Sequence, residues 1–284
     1  MKSLITKTLI QLALEEDIGS GDITTKALIS NKAFGKATIV AKQDLVIAGL
    51  EMVDMVYQTL CPTIQFSPNC QDGNNIKTGQ NVCEITGPLS TLLEGERTAL
   101  NFLQRMSGIA TQTRKYVNAI TPKKPMIVDT RKTLPGWRRL EKIAVRIGGA
   151  NNHRMGLYDG VLIKDNHIQV SGGIIPAITR MKNNVSHLTK IEIEVENFSQ
   201  LEEAIDAKAD VIMLDNMAID DIRQAVKKIN GQALVEVSGG ITFDHLKDIA
   251  DTGVDIISIG ALTHSAQAVD LSMKIVTENY SHNE

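Results

Sequence analysis

The chain has 284 residues, 43% of them apolar, with a net charge of −3 and a pI of about 6.1. That length and apolar content allow a sizeable core, in one large domain or two smaller ones, and exclude general disorder. The mild acidity and the 4% aromatic content argue against a nucleic-acid surface, and no apolar run reaches the length of a membrane-spanning helix.

The opening stretch MKSLITKTLIQLALEEDIG has no clean apolar core followed by a small-residue cleavage site. It reads as an amphipathic helix over 4–16 rather than a signal peptide. KATIVAKQDLVIA (36–48) reads as extended, LEMVDMVYQTL after Gly49 as a helix, and VCEITG (82–87) as a strand. A long helix is predicted from about Ser90 to Ile120, on the stripe Ala99, Leu103, Met106, Ala110, Thr113 and Val117. Gly108 should weaken or bend it. Cys61, Cys70 and Cys83 match no zinc spacing and read as free thiols in a reducing cytosol.

After Thr121-Pro122 short apolar runs recur: PMIVDT (125–130), GVLIKDN (160–166), KIEIEVEN (190–197), DVIMLDN (210–216), ALVEVSGG (233–240) and DIISIGA (255–261). Helical segments such as FSQLEEAIDA, AIDDIRQAVKKI and TFDHLKDIADT fill most gaps. The alternation predicts an α/β fold with a parallel sheet and right-handed crossovers. Six strands in series suggest a barrel-like closure. A doubly wound open sheet is the alternative, but no GxGxxG follows the first of these strands. Each run ends in polar or small residues, from Asp129-Thr130-Arg131-Lys132 to Gly260. In parallel α/β folds that edge carries the active site.

Between Arg131 and Arg154 seven Lys or Arg stand against one acid, Glu141. Such a local positive field suits a small anionic substrate. Arg139, Lys142 and Arg146 fall opposite the helical stripe Leu140, Ile143, Ala144 and Ile147, so a solvated face is expected for them. Arg131 and Lys132 instead follow a strand and precede a turn signal, Thr133 to Gly136. Arg offers a planar fork to a carboxylate, and Lys a point charge to phosphate. His153-Arg154 sits in a polar loop. Lys164 ends an apolar strand and needs an anion, either a ligand or a salt-bridge partner.

In IEIEVEN the alternation puts Glu192, Glu194 and Glu196 on one face. That face points inward in a barrel and outward on an edge strand. Glu194 with Asp215 could bind ribose hydroxyls and Mg²⁺, which prefers oxygen ligands. Ser238-Gly239-Gly240 and Gly260-Ala261 let a backbone approach phosphate. Ser171-Gly172-Gly173 reads as a plain turn, and His167 as a helix-start or loop residue without a role.

Several of these stretches together resemble one family. They are EDIGSGDITT (16–25), GERTALNFLQRMSGIAT (95–111), DTRKTLPGWR (129–138), GGANNHRMGLYDGVLIKDNHI (148–168), EIEVEN (192–197), VIMLDN (211–216), VSGGIT (237–242) and VDIISIGALTHS (254–265). The resemblance is to the quinolinate phosphoribosyltransferases, covers most of the chain and is weakest over 26–90. It implies an N-terminal α/β sandwich domain, placed over 1–112. It also implies a C-terminal partial α/β barrel of six to seven strands over 113–284, with a C-terminal helix at about 266–284 packing back on the first domain. The implied reaction joins quinolinate to phosphoribosyl pyrophosphate, with decarboxylation. By motif position, Arg131, His153, Arg154 and Lys164 would surround quinolinate, and Thr130 would also bind substrate. Lys132 would serve the pyrophosphate, and Glu194 and Asp215 the ribose and Mg²⁺; these three carry the catalytic expectation. Ser238, Gly239, Gly240, Gly260 and Ala261 would hold the 5′-phosphate. Arg97 would come from the partner chain of a homodimer with shared sites, higher assembly being left open. No nucleic-acid or membrane partner is implied, and the cytoplasm is the expected compartment. Rival readings are a paralogue of the same fold with another acceptor, a barrel lyase or isomerase that binds phosphate, and an RNA-binding module built on the 131–154 cations.

Overall fold

The computed structural model describes residues 3–30, 32–122 and 125–276. In chain order they form α1 (Leu4–Ile18), α2 (Ile23–Leu28), β1 (Phe34–Ala41), β2 (Leu45–Val46), α3 (Leu50–Leu60), β3 (Gln65–Pro68), β4 (Asn75–Ile76), β5 (Asn81–Pro88) and α4 (Leu89–Ile120). Then follow β6 (Met126–Val128), α5 (Arg138–Gly148), β7 (Val161–Ile163), α6 (Asp165–Ser171), α7 (Ile174–Asn184), β8 (Ile191–Val195) and α8 (Phe198–Asp206). The last elements are β9 (Val211–Asp215), α9 (Ile219–Ile229), β10 (Leu234–Ser238), α10 (Leu246–Ala250), β11 (Ile256–Ser258), α11 (Ala261–His264) and β12 (Leu271–Val276). They divide into two compact units. The first takes Met1–Gln112, Pro135–Gly148 and Ala266–Glu284, and the second takes Thr113–Leu134 and Gly149–Ser265.

In the first unit an antiparallel sheet runs in the order β12-β1-β5-β3. Burial alternates along β1, with Ala37, Ile39 and Ala41 inside, as a sheet packed on one face requires. Helix α1 buries Thr6, Ile10 and Leu14 at four-residue spacing but leaves Leu4, Ile5 and Leu12 exposed, so its inward stripe is narrow. The α4 stripe Ala99, Leu103, Met106 and Ala110 is fully buried. Gly108 does not interrupt this helix. A Cβ there would lie 2.0 Å from the Gln267 carbonyl oxygen, so the glycine serves a close backbone approach.

Three expectations need correction. Arg139 and Arg146 face solvent, but Lys142 is only 1% exposed. Helix α5 is covered on more than its apolar side, because Glu141 beside Lys142 is fully buried and accepts from Arg105 Nε (3.2 Å) and Nη2 (2.8 Å). Phe102 stacks on Trp137 at 4.7 Å just before this helix. The barrel domain also does not take all of 113–284. Residues 135–148 group with the first unit, tied there by the Arg105–Glu141 pair, and the segment from 266 groups with it as expected, through β12. The expected C-terminal helix is a strand over 271–276, antiparallel to β1 from Ala41–Leu271 to Lys36–Val276. Residues 266–270 have no regular secondary structure, and 277–284 lie outside the described residues.

The second unit holds a six-stranded parallel sheet in the order β6-β11-β10-β9-β8-β7, with helices between successive strands, a partial α/β barrel. All six strands stand where the apolar runs predict them. Strand β9 is buried at Val211, Ile212, Met213 and Leu214, as a strand covered on both faces must be. Local signals set the helix ends. The Asn197 side chain caps α8 by accepting from Gln200 N at 3.0 Å. Asp220 and Asp221 open α9, Lys227 and Lys228 close it, and Asn230 ends it at φ 46°. Among the described residues no helix is long and apolar enough to cross a membrane, and Cys61, Cys70 and Cys83 are free thiols.

The contact at Gly108 makes a direct prediction. Gly108→Ala should gain about 1 kcal/mol of helix propensity but force Gln267 away, for a net loss of about 1–3 kcal/mol. Denaturant unfolding should show a lower midpoint at unchanged slope. A midpoint equal to or above the wild-type value would show that the backbone yields freely there.

Candidate active site at the carboxyl ends of the barrel strands

The parallel ladder fixes the level of the strand ends. Ser238 pairs with Asp215, Val195 with Leu214, Ile163 with Ile193, and Ser258 with Val128. The residues just beyond or at these positions open into one cavity of about 780 Å³. It is lined by Thr130, Arg131 and Lys132 after β6, by His153 and Arg154, and by Lys164 after β7. Glu194 of β8, Asp215 of β9, Ser238-Gly239-Gly240 of β10 and Gly260-Ala261 after β11 complete the wall. Every expected site residue except Arg97 is therefore brought to one place. Arg97 is exposed on α4, in the first unit.

Buried polar groups hold the loops in position. Asp129, fully buried, accepts from His153 N (2.9 Å) and Asn152 Nδ2 (2.7 Å). Asn151 exchanges backbone hydrogen bonds with β6, donating to Ile127 O and accepting from Asp129 N. This carries His153 and Arg154 alongside the end of β6. Lys132 is held by its backbone: its N–H donates to Thr130 Oγ1 (3.1 Å), and its carbonyl accepts from Thr263 Oγ1 (2.7 Å). Gly260 is small for a local reason, since a Cβ there would meet Lys132 Cδ at 3.0 Å. Gly239 has φ 89°, and a Cβ would fall 2.3 Å from Asn216 Oδ1.

The electrostatics are those of a site for anions beside a site for cations. Arg154 donates Nη1–H to Gly160 O (3.0 Å), while its buried Nε has no hydrogen-bond partner. Burial first, and then the like charge of Arg131, pushes Arg154 below the usual guanidinium range. An anionic ligand would relieve both. Lys164 forms an ion pair with Glu194. Burial nevertheless pushes Glu194 up, helped by the charge of Asp215.

Several lining residues escaped the sequence reading. Asn216 follows Asp215 at φ 53° and donates Nδ2–H to Asp215 Oδ2 at 3.0 Å. Its signal was an Asn where a strand turns sharply, a residue that tolerates φ > 0. Thr242 and His264 also line the cavity. Of the three β8 glutamates, Glu192 and Glu194 are inward. Glu196 is exposed, because β8 ends at Val195. Glu236, in mid-strand on β10, is 2% exposed, and its signal was a lone acid inside an apolar run. His153 Nε2, Glu192 and Glu236 bring their ligand-type atoms within 4.8 Å of one another.

This geometry agrees with comparisons to known proteins. The chain matches the model of the quinolinate phosphoribosyl transferase N-terminal domain over residues 22–107. It matches that of the C-terminal domain over 109–274. It is 43% identical, over all of its own length and 98% of the relative's, to a probable carboxylating nicotinate-nucleotide pyrophosphorylase of Bacillus subtilis. A Synechocystis relative of the same name is 45% identical over 94% of this chain and 91% of its own. Among solved structures, the nicotinate-nucleotide pyrophosphorylase of Francisella tularensis superposes with a TM-score of 0.92 at 40% identity, covering 96% of each chain. NadC of Streptococcus pyogenes superposes at 0.94 with 37% identity, covering 98% of this chain and 99% of its own. With both domain models matched in order along one chain, the chain belongs to the quinolinate phosphoribosyltransferase family.

Proposed function

We propose that this enzyme transfers the phosphoribosyl group of phosphoribosyl pyrophosphate to quinolinate, releasing pyrophosphate and CO₂ and giving nicotinate mononucleotide. The observation that carries this reading is the single cavity with four cationic side chains, Arg131, Lys132, Arg154 and Lys164, against two carboxylates, Glu194 and Asp215. A dianionic acceptor needs several cations, and a sugar that develops positive charge needs carboxylates.

Arg131, His153, Arg154 and Lys164 surround quinolinate, with Thr130 beside them. Lys132 stands by the pyrophosphate, and the two glycine turns receive the 5′-phosphate. Departure of pyrophosphate leaves positive charge on ribose C1 and its ring oxygen, as in glycoside chemistry. Glu194 and Asp215 favour that charge. The ring nitrogen of quinolinate then bonds to C1 and becomes cationic. Its charge stabilises the electron pair left on the adjacent ring carbon when that carbon's carboxylate leaves as CO₂, and a proton from solvent then takes that pair to form the C–H bond of nicotinate mononucleotide. Glu194 and Asp215 also fit Mg²⁺, because both offer oxygen ligands, and burial first and then the charge of Asp215 push Glu194 up, which a divalent cation would relieve. When bound, the ion would neutralise charge on the departing pyrophosphate. The free cysteines suit a reducing cytoplasm.

The functional test is a mass-spectrometric assay with phosphoribosyl pyrophosphate, Mg²⁺ and either quinolinate or nicotinate. Quinolinate should yield nicotinate mononucleotide and pyrophosphate. Nicotinate should be poorer in kcat/KM by about a hundredfold or more, because an unpaired charge in the acceptor site costs on the order of 2–5 kcal/mol. Comparable turnover of both acids would sink the dicarboxylate reading and favour another acceptor.

The two anion sites should separate. Arg154→Ala should raise the Kd of quinolinate far more than that of phosphoribosyl pyrophosphate. Gly240→Ala, which strains a residue at φ 58°, should do the reverse. Calorimetric titration of both ligands checks this, and equal losses for both in each variant would refute the assignment.

We further infer that the working enzyme is a homodimer and that Arg97 serves the partner's cavity. Co-refolding Arg97→Ala chains with Lys164→Ala chains should restore activity to roughly a quarter of wild type. About half the dimers are then mixed, with one intact site in each. A mixture as inactive as its parents would place Arg97 outside the site.

A further inference from the structure

The roles assigned so far leave one buried cluster unused. His153 lines the cavity, and its Nε2 lies 3.0 Å from Glu192 Oε2 and 3.6 Å from Glu236 Oε1. Glu192 on β8 is 8% exposed and Glu236 on β10 is 2% exposed. Oε1 of each has no hydrogen-bond partner. Neither glutamate lines the substrate cavity. Both sit lower in the sheet: Glu192 pairs with Val211, and Glu236 with Met213 and Ile256. With strand-start residues such as Met126 and Lys190 they line a smaller cavity of about 380 Å³, which His153 and Arg154 also border.

A buried acid without a cation is costly, and a buried pair of acids more so. Burial, and then the charge of Glu192, pushes Glu236 up to about 8. Glu192 Oε2 lies within hydrogen-bond distance of the imidazole. Accepting from Nε2–H there fixes the tautomer and the orientation of the ring at the boundary between the two cavities.

We propose that Glu192 is a positioning residue, which accepts from His153 Nε2 with Glu236 packed beside the pair and so fixes the ring that lines the substrate cavity for a quinolinate carboxylate. The role of that imidazole toward quinolinate rests on the proposed function; the hold on His153 does not.

The test combines kinetics with ¹⁵N NMR of the histidine rings, His153 being assigned by its loss in His153→Ala. Glu192→Gln keeps the shape and removes the charge. It should raise the quinolinate KM by about tenfold or more, leave the KM of phosphoribosyl pyrophosphate within about twofold, and shift the His153 ring signals, because the carboxylate that faces Nε2 is gone. Glu236→Gln leaves the His153–Glu192 hydrogen bond in place and should retain a near wild-type quinolinate KM. In a His153→Ala background Glu192→Gln should have no further effect on that KM, because it acts through the imidazole.

Additive losses in the double variant would overturn the proposal, as would equal rises in both KM values. So would a Glu236→Gln enzyme as impaired as His153→Ala. A stoichiometric metal ion on the three groups of the purified wild-type protein would also overturn it, since Nε2 would then be a ligand. If wild type fails to use quinolinate, the functional reading falls, and the NMR comparison still decides whether Glu192 holds His153.

Discussion

A parallel ladder holds neighbouring strands in step, and here Ser238 lies opposite Asp215 while Val195 lies opposite Leu214. Side chains alternate along each strand, so a slip of one residue would exchange Glu194 for Val195 at the inner face. The register is secured by apolar residues that have no other place to go. Ile193, Val195, Ile212 and Leu214 are fully buried, while the polar residues among them take the opposite side. Every charge in the cavity depends on this step. The cations and carboxylates arrive from four strand ends and the loop at Arg154, and no single segment carries the site.

The same constraint explains why the site tolerates electrostatic conflict. Arg154 is pushed down by burial and by Arg131, while Glu194 is pushed up by burial and by Asp215. Left to local preference, such groups would turn toward water. The backbone denies them this, because Asp129 holds the chain at His153 and Asn152, and Thr263 holds Lys132. Stability is given up to keep like charges near one another, and substrate anions and a cation would recover it. The pyrophosphate, carboxylate and 5′-phosphate groups of the proposed substrates are of the sign and number that would do so.

Much of this was legible before any coordinates. Six apolar runs ending in polar residues announced six parallel strands, and the motif residues from Thr130 to Ala261 converge on one cavity. The failures have a common cause. Lys142 looked solvated because its helix was read alone, whereas Arg105 and Glu141 cover that side through a contact distant in sequence. Residues 271–276 looked helical because nothing nearby says otherwise. They are a strand because β1, more than two hundred residues earlier, offers an unpaired edge. Glu236 was overlooked because one acid in an apolar strand has no local partner to name it.

What the sequence by itself determined is the set of elements and the chemistry at their ends, since periodicity, caps and turn residues act over a few positions and leave a local record. The tertiary structure alone decided which acids and bases meet. His153, Glu192 and Glu236 belong to a loop and two non-adjacent strands, and only the parallel register brings Nε2 within 3.0 Å of one carboxylate and 3.6 Å of the other. Charge pairing at that range depends on distance through space, and distance through space has no trace in the spacing along the chain.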